Sequence, residues 1–269
     1  MKKYITVAAL LAAATACANA SYEDTYGSLC QGNIMAYWSF DSTSGYLSPV
    51  FDFTAVPVTA PSWNTLASVS HTETGGWEDS GYATFNGNGG PYATIPDGGV
   101  GATNFNNLTC SFFVNLSTES SGTIISAHPN NGSFNVNADG TNILFYNGST
   151  QCASYDLSAF AGKWVNVTFQ RIWGVTTVYI NGEAQVAENT FSLAGQGLGF
   201  QLGSNYANVG TGGKLNNTSL DEVVLWFGAH PTAEQIKTYS IPEPSAFGML
   251  AGIGALALVA SRRRRVKKA

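Results

Sequence analysis

Between residues 34 and 227 apolar and polar positions alternate with a period of two, the pattern of strands with one buried face. In Trp164-Val165-Asn166-Val167-Thr168-Phe169-Gln170-Arg171, the apolar set Val165, Val167 and Phe169 falls on one side. Val175 to Ile180 follows as a β-branched and aromatic run. Asn181-Gly182 then predicts a type I′ turn, whose two central residues need positive φ, with Glu183 to Ala187 as the return strand. Tyr146-Asn147-Gly148 repeats the turn signal after Ile143-Leu144-Phe145. Further strands are predicted at Ile34 to Phe40, Tyr82 to Phe85, Tyr92 to Ile95, Leu108 to Leu116 and Thr123 to Ala127. Ser133 to Val136, Leu198 to Leu202 and Leu220 to Phe227 complete the set. Turn residues separate them at the intervals of a β-sandwich. One short helix is predicted, with Thr232 as N-cap, Gln235 as its box partner, and Ile236 and Tyr239 facing inward.

The two ends break this pattern. Lys2 and Lys3 precede an apolar run from Tyr4 to Ala16, and Ala18-Asn19-Ala20 is a small-x-small site for signal peptidase. Residues 1–20 therefore read as a cleaved export signal, too short to span a membrane. Cys17 invites a lipoprotein reading, but Ala14 stands where a lipobox carries a leucine-like residue. At the other end Pro242-Glu243-Pro244 precedes an apolar run at 246–260, followed by Arg262, Arg263, Arg264, Arg265, Lys267 and Lys268. As a helix, 15 residues reach about 22 Å against a hydrocarbon core of about 30 Å, so a permanent span is strained. The basic cluster would stay on the cytoplasmic side and leave everything before it outside. Residues 241–269 resemble the PEP-CTERM sorting signal of Gram-negative bacteria: a Pro-Glu-Pro motif, a short helix and a basic cluster, in that order. The resemblance implies cutting near the motif by an exosortase-type membrane protease. It also implies delivery to the cell surface, outer membrane or extracellular matrix, with transient or permanent anchoring through the tail.

Removing the ends changes the charge balance. Residues 21–240 keep four basic residues, Lys163, Arg171, Lys214 and Lys237, against 16 acidic ones, a formal charge of −12. Such a surface repels phosphate backbones, which excludes nucleic acid as a partner. Of the four cysteines, Cys17 leaves with the signal. Cys30, Cys110 and Cys152 remain, enough for one internal bridge, and Cys110–Cys152 is the candidate pair.

Within residues 21–240 a series of short segments carries a second resemblance. They are Met35-Ala36-Tyr37-Trp38-Ser39-Phe40-Asp41, Ala83-Thr84-Phe85-Asn86-Gly87, Leu108 to Val114, Lys163 to Thr168, Ser219 to Trp226, and Pro231 to Ile236. Their order resembles the laminin-G-like, concanavalin A-like jelly-roll domains, which implies an all-β sandwich of two antiparallel sheets. Ligand sites of such domains usually lie on rim loops or the concave face.

The same fold houses glycoside hydrolases. A retaining hydrolase needs two carboxyl groups about 5–5.5 Å apart, which on a strand requires acids at i and i+2 or i+4. Asp221 and Glu222 are adjacent, so alternation would send them to opposite faces, and Val223 to Trp226 adds no acid. Glu78-Asp79 is likewise adjacent. His71, His128 and His230 are scattered without metalloprotease spacing. The expectation is a non-catalytic protein that binds glycans or a surface protein. The alternatives are a structural matrix component without ligand and, behind it, a glycoside hydrolase.

Two sets of candidate binding residues follow. Asp41 and Asp221, at the ends of the first and last core strands, are candidate calcium ligands, since calcium takes hard oxygen donors. Each has a structural alternative: an Asx turn at Asp41 and a backbone brace at Asp221. Trp63, Trp77 and Trp173 lie in loop or turn stretches, placed either to stack on sugar faces or to cover the sandwich edges. N-terminal sequencing of the protein from native cells is expected to begin at Ser21; a start at Met1 contradicts the export reading.

Overall fold

A computed structural model describes residues 34–40, 69–87, 92–95, 107–128, 134–172, 175–185, 198–203, 213–227 and 231–240. The signal segment, the sorting tail, Asp41, Trp63, Trp173, Cys30 and His230 lie outside the described residues. Thirteen strands are described: β1 (Ile34–Trp38), β2 (Val69–Thr72), β3 (Tyr82–Asn86), β4 (Tyr92–Ile95), β5 (Asn107–His128), β6 (Phe134–Asp139) and β7 (Asn142–Asn147). They continue with β8 (Thr150–Asp156), β9 (Trp164–Ile172), β10 (Val175–Ile180), β11 (Glu183–Ala184), β12 (Leu198–Leu202) and β13 (Asn216–Phe227), before helix α1 (Ala233–Ser240).

All described pairings are antiparallel. Strand β5 belongs to both layers. Its first half pairs with β9 and β13 in a front sheet that runs β11-β10-β9-β5-β13, with β3 and β1 on the far edge of β13. Its second half pairs with β6 and β12 in a back sheet ordered β8-β7-β6-β5-β12-β4. The sequence reads as two strands here, 108–116 and 123–127, because the polar run Ser117 to Ser121 interrupts the alternation. The chain instead carries one 22-residue strand through that run. Ser120 is buried, and its hydroxyl donates to the Asn217 carbonyl at 2.6 Å. Gly122 sits in the passage with φ +100°, and a Cβ there would meet the Lys214 carbonyl oxygen at 1.9 Å. Only glycine fits. Strands β2 and β8, which the alternation does not predict, lie beside β3 and β7.

The core lies between the sheets. Cys110, Phe112, Val114, Val165, Val167, Phe169, Val178, Leu220, Val223 and Leu225 face inward from the front sheet, and Phe134, Val136, Ile143 and Phe145 from the back. Edge-to-face contacts join the layers, with the Phe169 ring 5.3 Å from Phe134 and 5.8 Å from Phe145, centroid to centroid. This is the sandwich the alternation predicts.

The Asn181-Gly182 turn takes φ +47° and +77°, as a type I′ turn requires. At the second turn Asn147 stays in β7, paired with Thr150, and only Gly148 turns to positive φ. The predicted helix forms with its box closed reciprocally: Gln235 N donates to Thr232 Oγ1 at 3.2 Å, and Thr232 N donates to Gln235 Oε1 at 2.8 Å.

The candidate Cys110–Cys152 bridge is not formed. Cys110 stands in mid-sheet on β5, between Phe169 and Leu225, whereas Cys152 is on β8 at the opposite sheet's edge. Burial pushes the Cys110 thiol up, which keeps it protonated as a small apolar core group.

Replacing Phe169 by Ala is expected to cost about 3–5 kcal/mol, read from the urea unfolding midpoint. Phe160→Ala, at a position 37% exposed, is expected to change stability by less than about 0.5 kcal/mol.

Candidate functional site

The chemistry-bearing residues gather on the outer face of the front sheet, at β13. That strand pairs with β5 along one edge. Along the other edge its first half, to Leu220, pairs with β3 and its second half, from Val223, with β1. Between the two partners lie Asp221 and Glu222, where the register with β5 slips by one residue. Glu222 takes φ +49° to accommodate the extra residue. The bulge overturns the expectation that the two carboxylates point apart. Leu220 and Val223 both face the core, and the two residues between them both turn outward.

Each outward carboxylate is claimed at once. Asp221 is fully buried, and its Oδ2 accepts the Trp77 backbone N–H at 2.7 Å and the Ser80 hydroxyl at 2.9 Å. Its Oδ1 accepts the Glu222 N–H at 2.8 Å, closing the bulge on itself. The Tyr37 hydroxyl, carried on β1, donates to Glu222 Oε2. Charge-assisted bonds of this kind are stronger than neutral ones, and losing one inside the protein leaves a buried donor unpaired.

Above the carboxylates lies an aromatic layer. Trp77 is buried and stacks on Phe113 with centroids 4.0 Å apart and planes 22° from parallel. Tyr37, Val224, Trp226, Tyr179, Ile236 and Tyr239 belong to the same outer cluster, with Trp164 packed against it. Trp164 Nε1 donates to the Gly75 carbonyl at 2.9 Å, tying down the start of the Trp77 loop. Two of the predicted site residues, Trp77 and Asp221, therefore meet, but as a joint rather than an open site. Trp77 covers a sandwich edge, and Asp221 braces a backbone.

The donor set around Asp221 also bears on calcium. N–H and O–H hydrogens occupy the positions that a cation would take, and calcium needs six to eight oxygen ligands. Among the described residues no group of three or more His, Cys, Asp or Glu is placed to hold a metal. His71 is engaged as well: its Nε2 lies 2.6 Å from the Phe40 carbonyl and so carries the hydrogen.

A second polar assembly, beside the first, is one that pattern reading missed. Ser111, Asn166, Thr168 and Gln170 alternate with core residues on β5 and β9 and so face outward, yet all four are buried. Helix α1 and Pro231, two residues before it, cover them. Thr168 Oγ1 donates to Ser111 Oγ at 2.8 Å, and Asn166 Nδ2 donates to the same oxygen at 3.1 Å. Gln170 Nε2 donates to the Pro231 carbonyl at 2.6 Å. Ser240 Oγ, at the last residue of α1, lies 2.8 Å from Asn166 Oδ1. The readable signal is the row of amide and hydroxyl side chains opposite a helix with an inward Ile-x-x-Tyr-Ser.

Comparisons with known proteins agree with this architecture. A family model described as the concanavalin A-like lectin/glucanases superfamily matches residues 86–237. A PEP-CTERM protein-sorting motif matches residues 240–265, which indicates export with surface or membrane association and processing by an exosortase-type system. No curated protein matches the chain. Among solved structures, domain 4 of an extracellular GH43 arabinanase from Geobacillus stearothermophilus, in complex with arabinotriose, aligns with TM-score 0.50 and 23% identity. That alignment covers 78% of this chain and 98% of the domain. The binding domain of botulinum neurotoxin serotype D aligns with TM-score 0.54 and 14% identity over 80% of this chain, and serotype G with TM-score 0.53 and 16% identity over 77%. The chain spans about half of each neurotoxin domain, at 52% and 50%.

Asp221→Ala removes the acceptor of two buried backbone N–H groups and of the half-buried Ser80 hydroxyl, and is expected to destabilise the domain by about 3 kcal/mol in urea unfolding. The site, the fold and the match over residues 86–237 lead to one assignment: the chain belongs to the concanavalin A-like lectin/glucanases superfamily.

Proposed function

We propose that the protein is a surface-delivered, non-catalytic module whose sandwich binds saccharides. The observation that carries this reading is the fate of the carboxylate pair. Asp221 and Glu222 do share a face, which hydrolysis requires, but they are 0% and 3% exposed and are held by the protein's own donors. A retaining hydrolase needs its two carboxyl groups at a cleft that a sugar can enter. Here both are consumed in joining β13 to its neighbours, so this pair serves the fold and not a reaction.

The likeness to an arabinanase domain described in complex with arabinotriose supports a saccharide as the ligand class. Export under a sorting motif supports a glycan of the cell surface or matrix as the place where that ligand is met. Calcium at Asp41 remains part of the proposal, since that residue lies outside the described ones.

The test is a glycan array probed with residues 21–240, followed by calorimetry on any hit and a calcium titration of the melting temperature. Binding of at least one saccharide class without release of reducing sugar is the expected result. Absence of binding across the array leaves a structural matrix role, and sugar release restores the hydrolase reading.

A further inference from the structure

Strand β9 carries one residue against its own pattern. Val165, Val167 and Phe169 face the core, and the next position on that face is Arg171. A charge withdrawn from water is costly unless a partner receives it. Arg171 is nonetheless only 9% exposed, and neither its Nε nor its Nη1 finds a hydrogen-bond partner. Thr176, directly opposite on β10, is 3% exposed, and its Oγ1 is unpartnered as well. Cross-strand neighbours point to the same side of a sheet, so the two unsatisfied groups stand together. Among the described residues the one ion pair joins Lys237 to Glu183, and no carboxylate pairs with Arg171. Residues 21–240 contain no other arginine.

The register places this pair at one end of the sandwich. Strand β5 runs along the front sheet, crosses through its serine run and returns along the back sheet, so its first and last residues lie at the same end. Asn107, at its start, pairs with Ile172. Ala127, near its finish, pairs with Phe134, and Phe134 pairs with Asn147. Arg171 and Thr176 therefore stand one position inside that end on the front sheet. Asn147 and its partner Thr150 stand there on the back sheet, on the face that Phe134 and Phe145 turn to the core. Phe169, edge-on to both phenylalanines, lies one layer deeper and closes the floor.

We infer that Arg171 and Thr176 form an anion site between the two sheets, and that its ligand is the carboxylate of a single uronic acid residue in a saccharide. The planar guanidinium matches the two oxygens of a carboxylate, and the threonine hydroxyl adds a third donor. A neutral sugar would leave the buried charge uncompensated. Asn147 and Thr150 offer the amide and hydroxyl groups that ring hydroxyls pair with. A long polyuronate is disfavoured, because the charge of −12 on residues 21–240 repels it. Burial lowers the Arg171 pKa from the ordinary arginine value, and a bound carboxylate works in the opposite direction. The inference rests on the saccharide reading above and narrows it to an acidic sugar.

The test is calorimetry on the full chain with D-galacturonate, D-glucuronate, the methyl ester of each, acetate and a short acidic peptide. One of the uronates is expected to bind at least about tenfold tighter than its ester, the acetate or the peptide. Arg171→Met and Arg171→Lys are each expected to weaken that binding at least about tenfold, the lysine because a point charge lacks the planar fork. A merely structural arginine would lower the melting temperature when replaced. Arg171→Met is expected to melt no lower than the natural chain, since it removes a buried charge that has no partner. In the natural chain the Nε–Hε NMR signal of Arg171, identified by its loss in Arg171→Lys, should shift with the uronate and not with the ester. Equal binding of acid and ester, or uronate binding that survives Arg171→Met, overturns the anion site. Acetate or peptide binding as tightly as the uronates overturns the acidic sugar as its ligand. If neither uronate binds while the glycan array finds a neutral saccharide, this inference fails and the saccharide reading stands. If no saccharide of either kind binds, both fail.

Discussion

The structure depends on a carboxylate accepting three hydrogen bonds at a bulge. Strand β13 has to serve two partners on one edge, β3 for its first half and β1 for its second. Two independent strands do not meet end to end in perfect register, and the extra residue at Asp221–Glu222 takes up the difference. An unpaired stretch of backbone in mid-sheet would leave buried N–H groups without acceptors. Asp221 supplies acceptors for the Trp77 loop and for Glu222, and Glu222 in turn receives Tyr37 from β1. The bulge thereby becomes the point where β1, β13 and the loop before β3 are fastened together.

Around that joint the outer face of the front sheet is closed twice. The Trp77 loop covers it near β13, with stacking on Phe113, and α1 covers it near β9, with Ser240 hydrogen-bonded to Asn166 and Pro231, ahead of the helix, accepting from Gln170. The polar side chains under α1 are a stake in specificity. Left uncovered they would be ordinary surface, whereas covered they must be satisfied, and in the docked arrangement Ser240 and Pro231 supply partners to Asn166 and Gln170.

Much of the fold was legible in the chain. Alternation marks most strands because each has one apolar face, and the Asn-Gly turn and the Thr232–Gln235 box are local devices that need no tertiary information. What was not legible depends on distant partners. The Asp221–Glu222 bulge arises from a change of neighbour on β13 that no local pattern records, so strict alternation sends Glu222 to the wrong face. The passage of β5 between sheets hides in a polar serine run that reads as a break. Trp77 has the composition of a loop aromatic, and only the place prepared for it by Phe113 and Asp221 shows that it packs. Asn166, Thr168 and Gln170 read as a solvated face because nothing local announces a helix above them. The candidate site was thus half visible: two of its residues were named from the sequence, and their joint purpose was not.

The central claim is that the carboxylate pair is a structural joint rather than a reactive one. Native-state hydrogen exchange on residues 21–240, read at the amides of Trp77 and Glu222, tests it most directly. If Asp221 holds both amides, they exchange only with the slow class of core amides such as Val114 and Val167, through global unfolding. Exchange of either amide at the rate of an exposed loop would contradict the account and leave the pair free for chemistry.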